Sequence, residues 1–593
     1  MNKTIVRREA AEVQPLLASG LHPVLARVLS QRGVRNDVEL DCRLQGLASF
    51  QSLMGIDSAA ERIGQAIIQQ QSVLVVGDFD ADGATSSALA VRALRALGAR
   101  RVNFLVPNRF EFGYGLTPPL VEVAQTDFSP DLLITVDNGI SSNEGVSAAN
   151  ALGMDVVVTD HHLPGEVLPD AVAIVNPNQR GCAFPSKHLA GVGVIFYVMV
   201  AVCRYLQGQQ WFDDKPYDTP NMAQFLDLVA LGTVADVVPL DHNNRILVQQ
   251  GLARIRSGHC CPGITALLQL AKRQARWLVS QDLGFAVGPR LNAAGRLQDM
   301  GVGIECLLAD SETEALAKAQ VLHELNQERR DIEADMQAEA LSYLDSIELE
   351  KVPAGICLYQ PHWHQGVIGI LAGRLKERFA RPTVVFASVN DPESVNGSES
   401  VSGSESGTEL KGSLRSVAGV HIRDVLADID AENPELMKAF GGHAMAAGVT
   451  IAAAQFEQFK ACFEARLETI MTPDKLQQVL LSDGEVEAEF LNSDVAETLR
   501  AAMPWGQHFE EPLFEGVFTI VRQKWLGDKH IKLFLAGQET GALVDAIAFN
   551  QERSVWDGIS GKIRVLYKMD INDYQNRRQL QLVVQHVEEY RES

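Results

Sequence analysis

From Ser72 onward the chain alternates short β-branched and aliphatic runs with longer stretches of helical periodicity, the pattern of a parallel sheet wound with helices. Residues 73–76, 102–106, 132–136, 155–159 and 171–175 read as strands. The Ala/Ser/Thr-rich run 83–97 and residues 225–234 read as helices, the second delivering Ala235 and Asp236. Residues 304–352 contain neither Gly nor Pro, and Ser311 with Glu314 offers a capping box, so a long connecting helix is expected there. A second, smaller α/β pattern follows, with strands at 355–359 and 383–386 around a helix at 367–379. Residues 389–410 are Ser/Gly/Glu-rich and nearly repeat themselves, which predicts a disordered loop tip. Beyond 478 come five short strands, 516–522, 530–535, 543–549, 562–567 and 580–586, as in a small OB-like β-barrel.

The expected fold class is therefore multidomain α/β. Its segments are a helical start (1–47), a parallel-sheet catalytic domain (48–303), the connector (304–352), the smaller α/β domain (353–471) and the barrel (472–593). A chain of 593 residues is too long for one core, which agrees with that partition. No membrane span and no signal-peptide segment is expected, and eight scattered cysteines without a C-x-x-C pair suit a reducing cytoplasm. A net charge of −23 argues against long-range attraction to nucleic acid, but binding follows the local field. Residues 251–298 carry seven Arg/Lys (Arg254, Arg256, Lys272, Arg273, Arg276, Arg290, Arg296) against Asp282 alone, enough for a phosphate-lined groove or simply a solvated face.

The chemistry sits where strands end. Asp78, Asp80 and Asp82 follow the run 73–76, Asp137-Asn138-Gly139 follows 132–136, and Asp160-His161-His162 follows 155–159. Carboxylates this close repel one another unless cations sit between them. The first string opens like a calcium loop, but Leu89 occupies the position of the bidentate Glu, and a P-loop would need a lysine. An ordinary acidic turn is the plainer alternative. Asp80, Asp82, Asp137, His161 and Asp236 together offer mostly oxygen with one imidazole, which favours Mn²⁺ or Mg²⁺ over zinc. Asp137 could bridge two such cations. In the string 288–296 the arginines Arg290 and Arg296 can fork onto phosphates. The Lys411–Ser416 string and the glycine-dense residues 440–448 offer donors and open backbone, although a Gly-rich turn with a packed histidine explains the latter nearly as well. Trp525 lies among Lys524, Lys529, His530 and Lys532, with Tyr574, Arg577 and Arg578 further on, a mixture that stacks on and neutralises single strands.

GDFDADG, DNG, DHH and the late Asp236, followed by GPRLNAAGRL and GGHAMAAG, resemble the motifs of the DHH/DHHA1 phosphoesterase superfamily, in particular its single-strand-specific 5′→3′ exodeoxyribonucleases. The resemblance implies two divalent cations, Mn²⁺ or Mg²⁺, and release of 5′-mononucleotides from single-stranded DNA threaded through a two-domain cleft. It implies roles in recombination and repair, with single-strand binding protein and a RecQ-type helicase as partners. It places Asp80 and Asp137 on one cation and Asp82, Asp137, His161 and Asp236 on the other, with His162 beside the scissile phosphate. Arg290, Asn292, Arg296, His364, Ser413, Arg415, Ser416, Gly441, Gly442, His443 and Trp525 fall at DNA-binding positions. Two departures stand out: Val76 replaces a histidine ligand common in relatives, leaving Asp78 to complete the first site, and Leu414 replaces a glycine. A phosphoesterase acting on short oligonucleotides or small phosphoesters, and an inactive single-strand-binding scaffold, are the alternatives.

Overall fold

The computed structural model describes residues 3–9, 11–213, 218–345, 353–389, 409–472, 478–538, 541–556, 558–572 and 578–590. All of the Ser/Gly/Glu-rich stretch but its ends (residues 390–408), Tyr574 and Arg577 thus lie outside the described residues. The chain forms two compact units. The larger joins Arg7–Asn326 to Leu481–Ser593; the smaller joins Met1–Val6 to Gln327–Leu480.

The opening segment contains more than helix. Strand β1 (Lys3–Arg7) pairs with a distant strand, β12 (Gln478–Ser482). The larger unit is built on a sheet of β2 (Val73–Val76), β3 (Val102–Leu105), β4 (Leu132–Val136), β5 (Asp155–Thr159) and β6 (Ala173–Val175). All pairs are parallel and the order is β3-β2-β4-β5-β6. The chain's direction of travel across the sheet therefore reverses between β2 and β4, and ligands of doubly wound sheets bind at the carboxyl ends beside such a reversal. β2 and β4 are buried throughout, as continuous aliphatic runs require. The Gly191–Gly208 helix is long and apolar enough to cross a membrane, but 72% of it lies inside the protein, packed on the Ile56–Ile68 and Ala81–Ala96 helices.

The connector is two helices, Gly301–Leu308 and Glu312–Asp345. Between them Ser311 Oγ accepts the Glu314 N–H (3.2 Å) and starts the second one, so a cap rather than Gly or Pro breaks the run. The smaller unit carries β7 (Ile356–Tyr359), β8 (Thr383–Ser388), β9 (Glu409–Arg415), β10 (Ala439–Gly442) and β11 (Ala446–Ala452) in the order β10-β11-β9-β8-β7. Back in the larger unit, β13 (Phe514–Leu526), β14 (His530–Gly537), β15 (Leu543–Ala548), β16 (Lys562–Asn572) and β17 (Gln579–Glu589) close into a barrel. Its β15–β17 pair is parallel and the other pairs are antiparallel.

A buried ion pair ties the chain's start to the approach to this barrel. Arg32 and Asp483, both 1% exposed, meet through two bonds (Nη1–Oδ1 2.9 Å, Nη2–Oδ2 3.0 Å), and Asp483 also accepts the Leu513 N–H. Removing the acid strands a buried guanidinium. Asp483→Ala is expected to cost about 3–5 kcal/mol, seen as a lower urea midpoint; an unchanged midpoint would show the pair to be dispensable.

Candidate metal centre

The acids converge because each leaves its element in a different constrained way. Asp80 caps the Ala81–Ala96 helix, its Oδ1 accepting the Gly83 N–H (2.9 Å). Asp82, in the first turn of that helix, is oriented by the N–H groups of Gly191 (2.6 Å) and Val192 (3.0 Å), at the start of the Gly191–Gly208 helix. Asp137 leaves β4 with φ 62°, a left-handed conformation unusual for an acid, which turns its carboxylate back over the sheet edge. Only glycine fits opposite: a Cβ at Gly191 would lie 2.6 Å from Asp137 Cβ and Oδ1. Asp236 stands just past the Leu226–Ala235 helix. His161 Nε2 reaches Asp137 Oδ1 (3.1 Å) and Asp236 Oδ2 (3.5 Å).

Three ligand groups result, each with its atoms within 4.8 Å of one another: Asp78, Asp80 and Asp137; Asp82, His161 and Asp236; Asp137, His161 and His162. Asp137 belongs to two of them. Asp78 thus joins the first group, where Val76 is a buried strand residue and offers nothing. Burial, and then mutual repulsion, push Asp78, Asp137 and Asp236 far above the carboxylate range and Asp82 up to about 7. Among the described residues neither Asp137 Oδ1 nor Asp236 Oδ2 accepts a hydrogen bond, although both are buried. Acceptors left without donors, in an oxygen-rich set with imidazole, fit Mn²⁺ or Mg²⁺.

His162 is held differently. Asp160, fully buried, accepts from the backbone N–H groups of His161 (2.7 Å), His162 (3.1 Å) and Ile140 (2.9 Å), and lies 2.7 Å from His162 Nδ1. Burial works to raise Asp160, but the hydrogen bond and charge of His162 carry it below the usual range. Burial likewise works to lower His162, yet the Asp160 bond and charge lift it to about 9. In the metal-free chain these interactions favour the protonated imidazole. Tyr114 Oη donates to the Asp137 carbonyl (3.3 Å) and lies 3.2 Å from the His162 ring nitrogens.

The GPRLNAAGRL string is a helix, Gly288–Leu297, entered through a π-helical turn, Leu283–Val287. It braces the first acidic motif: Asn292 Oδ1 accepts the Ala81 N–H (2.8 Å), and a Cβ at Gly295 would lie 1.8 Å from the Phe79 carbonyl oxygen. Arg290 contacts His323 Nδ1 (3.2 Å) and the Ala286 carbonyl, and Arg296 lies at the end of the same helix. In the smaller unit, Ser413 and Arg415 sit on β9 beside Gly369, at the start of the Ile368–Phe379 helix. Burial lowers Arg415, whose Nη1 donates to Ser413 Oγ (3.2 Å) and the Leu414 carbonyl (2.8 Å). Gly441 and Gly442 pair across β10 with Gly448 and Ala447, and His443 follows, exposed. Ser416 is buried and donates to the Val420 carbonyl (2.7 Å), and His364 Nδ1 accepts the Gly366 N–H (3.1 Å). Trp525 lies on β13 of the barrel with the Arg553 guanidinium 5.3 Å above its ring.

Comparison with known proteins places these parts in one lineage. Family models match residues 72–233 (DHH family, N-terminal domain), 352–469 (DHHA1 domain) and 482–586 (RecJ OB domain). The chain is 50% identical over 581 residues to the single-stranded-DNA-specific exonuclease RecJ of Salmonella typhimurium and 48% identical over 584 residues to that of Escherichia coli, covering 98% of each chain in both cases. This chain belongs to the RecJ family of single-stranded-DNA-specific exonucleases. The crystal structure of RecJ in complex with Mn²⁺ from Thermus thermophilus superimposes with a TM-score of 0.78 at 27% identity, over 99% of this chain and 80% of that one. A Mg²⁺ complex of the same RecJ gives 0.74. The chain is thus a metal-dependent nuclease of the DHH phosphoesterase type, with a RecJ OB barrel at its carboxyl end.

Some contributors to this RecJ centre escape a reading by motif. Asp160, the first letter of DHH, is spent on backbone N–H groups and on His162, and nothing in spacing announces that. The Gly191 and Val192 N–H groups have no side-chain signature. Tyr114, and Arg109 whose guanidinium lies 4.3 Å over Phe79, come from an aperiodic stretch whose aromatic and basic mixture was the available signal.

Removing metal has a pH signature. Unfolded Asp82 loses its proton near 3.8, while the folded, metal-free chain holds it to about 7, so stability falls as pH rises through that window. His162, raised from 6.5 to about 9, extends the fall above it. With EDTA the melting temperature is expected to drop from pH 5 to pH 8, and Mn²⁺ to restore it most at the upper end. A metal-free melting temperature that rises with pH would contradict this.

Proposed function

We propose that Asp78, Asp80 and Asp137 hold one divalent cation and Asp82, Asp137, His161 and Asp236 the other, and that this pair serves 5′→3′ hydrolysis of single-stranded DNA to 5′-mononucleotides in recombination and repair. The supporting observation is that Asp137, grouped with Asp78 and Asp80, also lies 3.1 Å from His161 Nε2, which is itself grouped with Asp82 and Asp236. Cations bound there supply Lewis-acid activation of water and neutralise charge on the phosphoryl oxygens. The chain's own groups then complete the site. His162, fixed by Asp160 and favoured by it in the protonated form, donates to a phosphoryl oxygen or to the departing 3′-oxygen. Tyr114 steadies that ring, and Asn292 and Gly295 hold the acidic motif against the Gly288–Leu297 helix.

Arg290 and Arg296 take backbone phosphates, and Ser413 with Arg415 takes a phosphate at the start of the Ile368–Phe379 helix, a natural anion position. His364, Gly441, Gly442 and His443 line the strand in the smaller unit, Ser416 being buried on the Val420 carbonyl, and Trp525 offers a stacking face on the barrel. A cytoplasmic setting, with single-strand binding protein and a RecQ-type helicase supplying the strand, rests on family likeness.

Asp137→Ala is expected to abolish nucleotide release in both Mn²⁺ and Mg²⁺ with an unchanged circular dichroism spectrum; near-normal turnover would reject the shared ligand. His162→Ala should lower kcat by about 10²–10⁴-fold while leaving cation affinity intact, and a loss of cation affinity would make it a ligand instead. Digestion of strands labelled at either end reads polarity: early mononucleotide release of 3′ label would overturn the 5′→3′ direction.

A further inference from the structure

The basic run at 251–298 is only partly used by the catalytic centre. Arg290 and Arg296 belong to the helix beside the acidic motif, and Arg254 and Arg256 bond backbone carbonyls at His259 and Leu278. Lys272, Arg273 and Arg276 instead line a cavity of about 510 Å³, together with Trp277 and with Arg500 and Arg578 from the barrel domain. Of the five cations lining it, Arg273 engages Asp282 (2.9 Å), Arg578 engages Glu497 (2.6 Å) and Arg500 lies 3.8 Å from Asp570. Among the described residues Lys272 and Arg276 have no acidic partner.

The cavity is built around the indole. Arg578 lies 4.2 Å from the Trp277 ring centroid and Arg276 4.8 Å. Arg500 donates to the Trp277 carbonyl (3.2 Å) and Arg256 to the next carbonyl, Leu278 (2.8 Å). Burial and then the charge of Arg500 depress Arg256, so like charges are packed together. Lys272 and Arg276 are therefore the cations left for an added anion to complete, beside an aromatic face in a chain of net charge −23. Forked donors for phosphate beside a ring for stacking are the elements that recognise a nucleotide in a single strand.

The cavity also leads toward the catalytic centre. It shares Arg273, Asp282 and Arg500 with a second cavity, of about 650 Å³, whose lining includes Phe285 and Trp505. Those two residues line a third, of about 280 Å³, that reaches Val237, next to the candidate ligand Asp236. Phe285, on the π-helical turn, is 85% exposed along this line, an unusual position for a phenyl ring.

We propose that the Trp277 cavity is a distal anchoring site for single-stranded DNA, one end of a groove within the larger unit that runs past Phe285 to the metal centre. The inference rests on the single-strand reading of the chain but not on its hydrolytic step. Nucleotides near the cut bind at the catalytic end, and a strand long enough to reach Trp277 gains a second hold.

Equilibrium binding of the full chain to fluorescent oligo(dT) of about 6 and about 40 nucleotides, in EDTA, tests this. Trp277→Ala and, separately, Arg276→Glu are expected to weaken the longer strand roughly tenfold and leave the shorter within about twofold, with Trp277→Phe retaining most of the affinity. The salt dependence of the longer strand should also flatten for Arg276→Glu. Unchanged binding of the longer strand, or equal loss at both lengths, would overturn the proposal. Because hydrolysis plays no part in this measurement, a chain that binds with this length dependence but never cleaves would refute the catalytic reading alone.

Discussion

Like-charge repulsion between buried carboxylates is the constraint on which the rest of the centre depends. Asp78, Asp82 and Asp137 are almost fully buried and close enough to raise one another's proton affinity, an arrangement that lowers stability unless cations intervene. Arg109, His162 and two backbone N–H groups relieve the crowding only in part, while the backbone keeps the acids together. The left-handed turn at Asp137 points its carboxylate inward, the glycine opposite makes room, and two backbone N–H groups fix Asp82 rather than neutralise it. The fold concentrates negative charge here, and divalent ions are what such a site is made to hold.

The sheet explains why the acids arrive together. With strand order β3-β2-β4-β5-β6, the two acid-bearing loops after β2 and β4 flank the point where the winding reverses, and the DHH loop follows one strand on. Helices then supply what strands cannot: Asp236 from a helix end, the N–H pair at Gly191 and Val192, and the brace of Asn292. The contrast between His161 and His162 shows how neighbouring identical residues diverge. One faces the carboxylates Asp137 and Asp236; the other is bonded to Asp160, which favours its protonated form.

Much of this was legible in the sequence. Residues 132–136 and 155–159 are the strands β4 and β5 residue for residue, because abrupt polar residues end each aliphatic run. Five barrel strands lay where turn residues separated alternating patterns, although the strands themselves extend further, as β13 does to Leu526. What stayed hidden depends on tertiary partners. Strand β1 exists because β12 pairs with it from the far end of the chain, and no local pattern announces that. The Ser311 cap was readable, but not that residues before it form a separate helix, Gly301–Leu308. In the GPRLNAAGRL string the arginines drew the reading toward phosphate, and the service of Gly295, close packing of a helix on Phe79, shows only in three dimensions. The clustering of the acids was expected from residue type, but the different surroundings of Asp137, left without a hydrogen-bond donor on Oδ1, and Asp160, bonded to three N–H groups, appear only in the hydrogen bonds.

The most direct test of the central claim is the number of Mn²⁺ ions bound by the metal-free chain, counted by calorimetry or electron paramagnetic resonance, and its response to Asp137→Asn. The account predicts two ions per chain with magnetic coupling between them, and loss of the coupled pair when Asp137 becomes an amide. A single ion, or two uncoupled ions that the substitution leaves in place, would contradict it.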